Sequence, residues 1–420
     1  MGKRNAWAWI PTLYFAEGLP YVVVMTLSVI MYKRLDVSNT EIALFTSWLY
    51  FPWVIKPIWS PFVDLIKTKR WWIYSMQLLI GGGMAGVAFV LPGDFFLRCS
   101  LAFFWLMAFS SATHDIAADG FYMLGLNEDQ QAFFIGIRNT FYRVAMLTGQ
   151  GLLVMLAGLL EESTGRIPFA WSLVFCVLAG CMIALALWHK YILPRPATDS
   201  QRTNITPSTI LGEFCNTFVS FFQKKGIVPA LLFMLTYRLG ESQLVKLASP
   251  FLLDQREVGG LALSTSEVGF VYGTVGVVAL LLGGILGGMA ISKHGLKAWL
   301  WPMALAISLP NLVYLYMAYA MPEGMVVVNI CVAIEQFGYG FGFTAYTMYL
   351  MLFAEGSYKT SHYAISTGIM ALGMMLPGMI SGWIQEQIGY QHFFIWVMIC
   401  CVPLFVILPF LRFQGSKKQG

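Results

Sequence analysis

Residues 7–32, WAWIPTLYFAEGLPYVVVMTLSVIMY, form an apolar run that is long enough to cross a lipid bilayer as one helix. Its one charged side chain, Glu17, lies near the middle of the run. A charge at the centre of a membrane helix costs about 2.5 to 3.5 kcal/mol even on lenient scales, so Glu17 cannot face lipid. The run therefore predicts a membrane span that brings an acid to a polar protein interior.

The rest of the chain has the same character, because 58% of its 420 residues are hydrophobic and only 11% are charged. That leaves too little polar surface for a soluble globule of this size. We predict an all-α membrane protein with twelve transmembrane helices in two pseudo-symmetric six-helix bundles. The twelve apolar runs are 7–32, 40–63, 72–92, 97–123, 132–160, 168–192, 227–253, 264–291, 298–320, 325–353, 362–385 and 392–412. The predicted division is a first bundle at 1–193, a cytoplasmic linker at 194–226 and a second bundle at 227–420.

Basic residues between the runs indicate the orientation. With the N-terminus inside, sixteen lysines and arginines lie in cytoplasmic segments and five lie in outer segments. Both termini are therefore expected in the cytoplasm, and the net charge of +5 gives no reason to expect nucleic acid as a partner. In the linker, Phe214, Phe218 and Phe221 recur at helical spacing. They fit either an amphipathic helix on the inner leaflet or an extension of the seventh span.

Ten charged side chains fall inside the runs, outside the first and last four residues of each run, and they must face a polar interior. They are Glu17, Lys56, Asp115, Asp119, Arg138, Arg143, Arg238, Glu241, Lys246 and Glu335. We expect these groups to converge from both bundles on one water-accessible chamber. This arrangement is typical of a protein that moves a polar solute across the bilayer.

The fourth run places Asp115 and Asp119 on one helix face, because they are four residues apart. Adjacent carboxylates repel each other in a site of low dielectric unless a cation is near. Depth in the membrane matches Asp119 with Arg138 and Asp115 with Arg143 on the next run. We interpret the first pair as structural or gating. For the second pair, an inert ion pair and a ligand or coupling role both stay open.

In the first run, Pro20 removes a backbone donor close to Glu17, which opens carbonyls beside a carboxylate that can carry a proton; a simple kink is the alternative. The seventh and tenth runs bring further polar groups to the same depth. Arginine offers a fork of donors that suits a carboxylate, and amides suit hydroxyls. The pattern therefore favours an anionic, hydroxylated small-molecule solute.

Other classes of function find little support in the sequence. The seven cysteines lack the spacing of metal ligands, and no nucleophile or cofactor loop accompanies His114 and Asp115. We expect no enzyme activity, no metal and no cofactor. The longest loop is too short for the soluble domain of a receptor.

Several stretches carry a family resemblance. The basic loop after Asp64 resembles the loop signature of the major facilitator superfamily. Throughout the chain, in order, further stretches resemble the AmpG family of muropeptide permeases: residues 15–20 (FAEGLP), 56–64 (KPIWSPFVD), 111–119 (SATHDIAAD), 142–143 (YR), 237–241 (YRLGE) and 266–271 (SEVGFV).

This resemblance implies a proton-driven importer of anhydromuropeptides in the bacterial inner membrane, which we expect to act as a monomer by alternating access. Another carrier of sugars or siderophores, or a drug exporter of the same fold, is the alternative. The expected solute-binding residues are Arg143, Arg238, Tyr237, Gln243, Gln336 and Tyr21. The expected proton-coupling residues are Glu17, Asp115, Glu241 and Glu335, and the expected gating or structural residues are Asp64, Asp119, Arg138 and Lys56.

Overall fold

The computed structural model describes residues 5–126, 128–196, 199, 207–356 and 359–411, and within these ranges every regular element is helical. The helices are α1 (Ile10–Val22), α2 (Ser28–Arg34), α3 (Asn39–Trp48), α4 (Phe51–Ile66), α5 (Lys69–Val90), α6 (Phe96–Gly125), α7 (Glu128–Leu147), α8 (Leu153–Thr164), α9 (Ile167–Ile192), α10 (Pro207–Phe222), α11 (Ile227–Thr236), α12 (Leu239–Leu253), α13 (Thr265–Phe270), α14 (Val277–His294), α15 (Leu296–Ser308), α16 (Leu312–Ala320), α17 (Met325–Ala354) and α18 (Lys359–Ile407).

Nine helical stretches of the described residues are long and apolar enough to cross a membrane, or ten if one sharply bent pair counts as a single span. One of the nine, Ser361–Phe410, covers both the eleventh and the twelfth predicted runs. Its helix turns at Gly389, where φ is 74° and ψ is 169°, so two helices meet there without a loop. The second predicted run is interrupted after Trp48. The number of spans therefore stays a prediction.

Short π-helical turns continue three of the apolar helices, at Val23–Leu27, Thr148–Leu152 and Val271–Gly276. The first of them follows Pro20, which cannot donate a helical hydrogen bond. Gly149, in the second π-turn, lies against Val22 so closely that a Cβ atom there would lie 2.2 Å from Val22 Cγ1. The predicted opening of the helix beyond Pro20 therefore takes the form of a wider turn.

The chain forms two compact units that are not continuous in sequence. The first comprises Met1–Val37, Ile58–Thr206 and Ser264–Gly273; the second comprises Ser38–Pro57, Pro207–Leu263 and Thr274–Gly420. Each unit thus includes a short segment from the opposite half of the chain. The sequence-based division at 194–226 stays a prediction.

In the first unit, the segment that contains α13 packs on α8 through glycines. A Cβ atom on Gly273 would lie 1.8 Å from the Cα of Gly151, and one on Gly158 would lie 2.2 Å from Ser266 Oγ. Polar contacts fix the same segment, because Thr265 Oγ1 donates to Glu161 Oε2 at 2.7 Å. Glycines let helix backbones approach this closely.

The same buried carboxylate of Glu161 gathers two further donors of the first unit. Arg34 Nη2 lies 3.0 Å from Oε2, and Trp171 Nε1 donates to Oε1 at 2.8 Å. With Thr265, these donors tie the ends of α2, α8 and α9 to the start of α13. Sequence analysis did not single out Glu161.

In the second unit, α3 packs on α18 in a comparable way. The side-chain amide of Asn39 donates to Gln385 Oε1 at 2.7 Å and to Tyr390 Oη at 3.0 Å. Tyr390 in turn donates to Asp254 Oδ2 at 2.6 Å. A Cβ atom on Gly382 would lie 1.9 Å from the Asn39 carbonyl oxygen, so only glycine fits at that contact.

The helix α10 belongs to the second unit and does not extend the seventh span. Cys215–Phe222 and Ile227–Leu253 meet at 95°, with Gly226 at φ 79° in the break. Phe221 is fully buried and its ring packs against Phe353. The alternative in which the linker prolongs the seventh helix is therefore wrong, whereas a position of α10 on the inner leaflet stays a prediction.

Candidate functional sites in the two units

The ion pair predicted between Asp119 and Arg138 is present in the first unit, with Arg138 Nη2 2.8 Å from Asp119 Oδ1. The guanidinium carbon also lies 4.4 Å from the ring centroid of Tyr14 and 5.2 Å from that of Tyr122. The Asp119 side chain is 44% exposed, so water reaches the pair. An ion pair that water reaches contributes about 1 kcal/mol or less, which leaves it easy to break and reform.

Glu17 on α1 faces Asp115 on α6, and their carboxyl groups lie close enough to interact electrostatically. Glu17 is buried, whereas Asp115 is half-buried. An ionised carboxylate can only accept hydrogen bonds, so a bond between the two groups requires that one of them carries a proton. Glu17 Oε2 has no hydrogen-bond partner among the described residues, which marks a buried polar atom left for another species.

The predicted pairing of Asp115 with Arg143 is wrong, because the described part of the chain shows no ion pair between them. The reason is helix rotation. Arg138 and Arg143 are five residues apart and point about 140° away from each other, whereas Asp115 and Asp119 differ by only about 40°. Both arginines therefore cannot face the same side of α6.

Arg143 is half-buried on α7, and within residues 5–126, 128–196, 199, 207–356 and 359–411 its guanidinium has no hydrogen bond or ion pair. The helices α1 and α7 approach closely at the neighbouring positions, since a Cβ atom on Gly18 would lie 2.8 Å from the Tyr142 carbonyl oxygen. Glu17 precedes Gly18 and Arg143 follows Tyr142, so both residues are sequence neighbours of this contact between α1 and α7. Tyr21 is half-buried one turn further along the same helix.

A second polar network fills the interior of the first unit. Gln77 bridges two buried histidines, with its amide nitrogen 2.8 Å from His114 Nε2 and its amide oxygen 2.8 Å from His189 Nδ1. His189 Nε2 lies 2.9 Å from Thr12 Oγ1. The chain of bonds links α1, α5, α6 and α9, and at His114 it adjoins Asp115 in sequence.

In the second unit, Arg238 is neutralised within its own turn of helix. Its Nε and Nη2 atoms donate to both oxygens of Glu241, at 2.8 Å and 2.7 Å, and Nη2 also donates to Tyr339 Oη at 3.1 Å. The guanidinium lies over the rings of Tyr339 and Phe343. Arg238, predicted to bind an anion, and Glu241, predicted to couple protons, therefore form an ion pair with each other.

Two further predicted binding residues take part in helix packing. Tyr237 stacks on Tyr346, with ring centroids 4.7 Å apart, and its hydroxyl donates to the Gly342 carbonyl at 2.7 Å. Gln243 accepts from Trp396 Nε1 at 2.7 Å and donates to Cys400 Sγ. Both side chains are buried, and their described partners belong to the second unit itself. A role in solute binding stays a prediction for each.

The remaining predicted residues lie at several places. Glu335 is buried and accepts from Gln336 Nε2 at 2.8 Å, whereas Gln336 is half-buried. Lys56 is half-buried in α4. Asp64 belongs to the same helix, but its side chain lies outside the described residues.

Some of these partners could have been found from the sequence. Tyr14 precedes Glu17 by three residues, so the sequence alone indicates that the two side chains lie on the same face of the helix. Gln77 and His189 carry no such signal, because nothing in their own runs indicates which neighbours they meet. In the residues that the structure describes, no group of three or more His, Cys, Asp or Glu side chains could hold a metal ion.

Comparison with known proteins supplies the family. The family description "Major Facilitator Superfamily" matches residues 12–356. The chain belongs to the Major Facilitator Superfamily. The all-α fold class expected from the sequence is thereby confirmed, and membership in this superfamily makes the chain a multi-pass membrane transporter.

Curated relatives in the superfamily include transporters of the AmpG type. The anhydromuropeptide permease of Escherichia coli (strain K12) is 26% identical over 413 residues, which cover 95% of this chain and 78% of that protein. A Rickettsia conorii transporter named AmpG 4 is 24% identical over 410 residues, or 95% of each chain. The resemblance to AmpG permeases is therefore confirmed over nearly the whole sequence.

Solved structures of superfamily members share the fold. The D-xylose-proton symporter matches with a TM-score of 0.72 and 12% identity over 98% of this chain and 97% of its own. The nucleoside transporter NupG matches with a TM-score of 0.70 and 15% identity over 99% of this chain and 100% of its own. At these identities the likeness concerns the fold alone.

Proposed function

We propose that this chain is a proton-coupled importer that carries anhydromuropeptides, or related fragments containing N-acetylmuramic acid, from the periplasm to the cytoplasm. The similarity to the anhydromuropeptide permease of Escherichia coli over 95% of the chain supports the substrate class. Such solutes carry carboxylates, hydroxyls and amides. Charged and amide side chains inside apolar helices suit these groups.

The observation that carries the proton coupling is the contact between Glu17 and Asp115. Two carboxyl groups that lie next to each other in a site of low dielectric repel when both are ionised, which favours one shared proton, and the unpartnered Oε2 of buried Glu17 adds an acceptor. Asp115 is half-buried and gives water a route to the pair. A site that is sealed at one carboxyl and open at the other is suited to load and release a proton.

The anion-recognising residue of this proposal is Arg143. Its guanidinium is half-buried and lacks a carboxylate partner among the residues described, so its donors are left for a solute carboxylate. Arg238 already has both oxygens of Glu241, and we assign that pair a structural role. Tyr21 and Gln336, both half-buried, remain candidates for contacts to hydroxyls and amides.

The proposal assigns the water-exposed Asp119–Arg138 pair to gating, together with Asp64 and Lys56. We further propose that the chain has twelve spans with both termini in the cytoplasm. It would act as a monomer in the bacterial inner membrane, by alternating access. Glu335, which is buried beside Gln336, stays a second candidate for proton coupling.

Uptake into proteoliposomes tests this function. Labelled anhydromuropeptide should accumulate when the lumen is alkaline relative to the medium, and it should not accumulate when a protonophore removes the gradient. Excess unlabelled N-acetylmuramic acid should compete. Accumulation that ignores the pH gradient would refute the coupling, and a lack of any muropeptide flux in either direction would refute the substrate.

A further inference from the structure

Lys246 is a fully buried lysine on α12 that has no counter-ion. Its side chain is 1% exposed. Its Nζ atom donates to Thr46 Oγ1 at 3.0 Å and lies 5.2 Å from the ring centroid of Tyr50. None of the carboxylates that the structure describes forms an ion pair with it.

The contacts around Lys246 do not balance a charge. A hydrogen bond from a charged donor contributes about 1.5 to 3 kcal/mol, and a cation–π contact contributes about 0.5 to 2 kcal/mol. Removing an ammonium ion from water costs several kcal/mol. Two neutral partners at best offset this cost, and they leave the positive charge without the counter-ion that an anion would supply.

The geometry of Thr46 directs the ammonium group. The Thr46 hydroxyl donates its own proton to the Ile42 carbonyl at 2.7 Å, so toward Lys246 its oxygen can only accept. An ammonium group has three donors, and the described residues take one of them in a hydrogen bond. Thr46 thus acts as a positioning residue that holds Nζ while further donors stay available.

Neighbouring polar side chains on α12 are satisfied, which sets Lys246 apart. Arg238 is paired with Glu241 through two hydrogen bonds, and Gln243 is bonded to Trp396 and Cys400. A buried lysine that served packing alone would be replaceable by an apolar side chain at a gain in stability. The chain instead retains a lone cation within its transmembrane interior.

We propose that Lys246, positioned by Thr46 and backed by the ring of Tyr50, is a subsite for a carboxylate group of the transported solute. This inference rests on the proposed carrier function. One ammonium group with no second unpaired base on its helix balances a single negative charge, which matches a carboxylate better than a phosphate dianion. Because Thr46 and Lys246 are both sealed from solvent, the carboxylate reaches Nζ only when residues 38–57 move away from α12.

The test compares an acid with its neutral analogue on the purified full-length protein in lipid nanodiscs. N-acetylmuramic acid and its carboxamide are titrated against wild type, Lys246→Met, Lys246→Arg and Lys297→Met, a control at an exposed lysine. Wild type and the control should bind the acid about ten- to a hundredfold more tightly than the amide, the value of one charged hydrogen bond. Lys246→Met should lower that preference about tenfold, with the remainder supplied by Arg143, and Lys246→Arg should lower it less. An unchanged preference in Lys246→Met would overturn the proposal.

A second measurement separates this inference from the proposed substrate. If wild type binds neither muramyl compound, the proposed function fails, and the lysine is then examined with gluconate, glucuronate and N-acetylneuraminate by thermal shift. Wild type should be stabilised by at least one of these sugar acids and Lys246→Met by none. Stabilisation of both proteins to the same extent, or of neither, would overturn the assignment of Lys246.

Discussion

Glu17 and Asp115 bring their carboxyl groups next to each other from two different helices of the first unit. Such a pair links the protonation of one group to the charge of the other. If it carries the coupled proton, an amide in place of Glu17 keeps a polar group at this position but cannot release a proton.

We therefore expect Glu17→Gln to abolish accumulation driven by a pH gradient while solute exchange continues. The measurement is uptake of labelled solute into proteoliposomes, once with a pH gradient and once with unlabelled solute inside. The exposed acid Glu162 supplies the control Glu162→Gln, which should behave like wild type in both assays. Undiminished accumulation in Glu17→Gln would remove this residue from the coupling role.

The two arginine–carboxylate pairs should differ in their value to stability. Glu241→Gln leaves Arg238, whose side chain is only 12% exposed, without its charge partner, so we expect a loss of about 3 kcal/mol. Asp119→Asn breaks a pair that water reaches, and we expect a loss of about 1 kcal/mol or less. Unfolding in detergent by denaturant titration measures both. Equal losses would show that the exposure of the Asp119 side chain does not weaken its pair.

Substitution by alanine at two glycines of the same apolar run should affect the stability of the protein differently. A Cβ atom on Gly273 would lie 1.8 Å from the Cα of Gly151, so Gly273→Ala must push the two π-helical turns that contain these glycines apart and should lower both stability and transport. Gly288 has nothing within 4 Å of its added Cβ, and Gly288→Ala should be neutral or stabilise the helix by up to about 1 kcal/mol. Thermal denaturation of the two variants checks this order, and a tolerated Gly273→Ala would contradict the close contact.

The histidine network gives a further prediction. Gln77→Leu removes the partner of His114 Nε2 and of His189 Nδ1, and each buried nitrogen left unsatisfied costs about 1 to 3 kcal/mol. We expect a marked loss of stability, measured by the temperature of unfolding in detergent. The control Gln387→Leu changes an exposed glutamine on α18 and should have a small effect. Similar unfolding temperatures for the two variants would argue against a structural role of the Gln77 bridge.

The sequence predicted contacts well where depth in the membrane decided them and poorly where helix rotation did. Asp119 and Arg138 meet as expected. Asp115 turns to Glu17 instead of Arg143, because residues five apart on one helix face different neighbours. The depth of a residue in the membrane follows from counting residues along its run. The residue that it faces depends on how the helices pack, and the sequence of one run does not carry that information.

The sequence also did not predict which distant segments contact each other. The apolar pattern of the linker fitted two arrangements, and the break at Gly226 decides against a continuous helix. Nothing in the eighth run indicated that Gly269 and Gly273 would meet Met155 and Gly151. For Lys246 the sequence predicted a place at a polar, water-accessible interior, whereas the side chain is buried and its partner is the hydroxyl of Thr46.

The contact between Thr265 and Glu161 has a consequence for the biogenesis of the chain. The first unit includes residues 264–273, so its last helix contact is made by a segment that follows α12 in order of synthesis. During translation, Glu161, Gly158 and Gly151 cannot make these contacts until residues 162–273 have been synthesised. The nascent first half therefore enters the membrane with an unfinished helix surface, which the later segment covers.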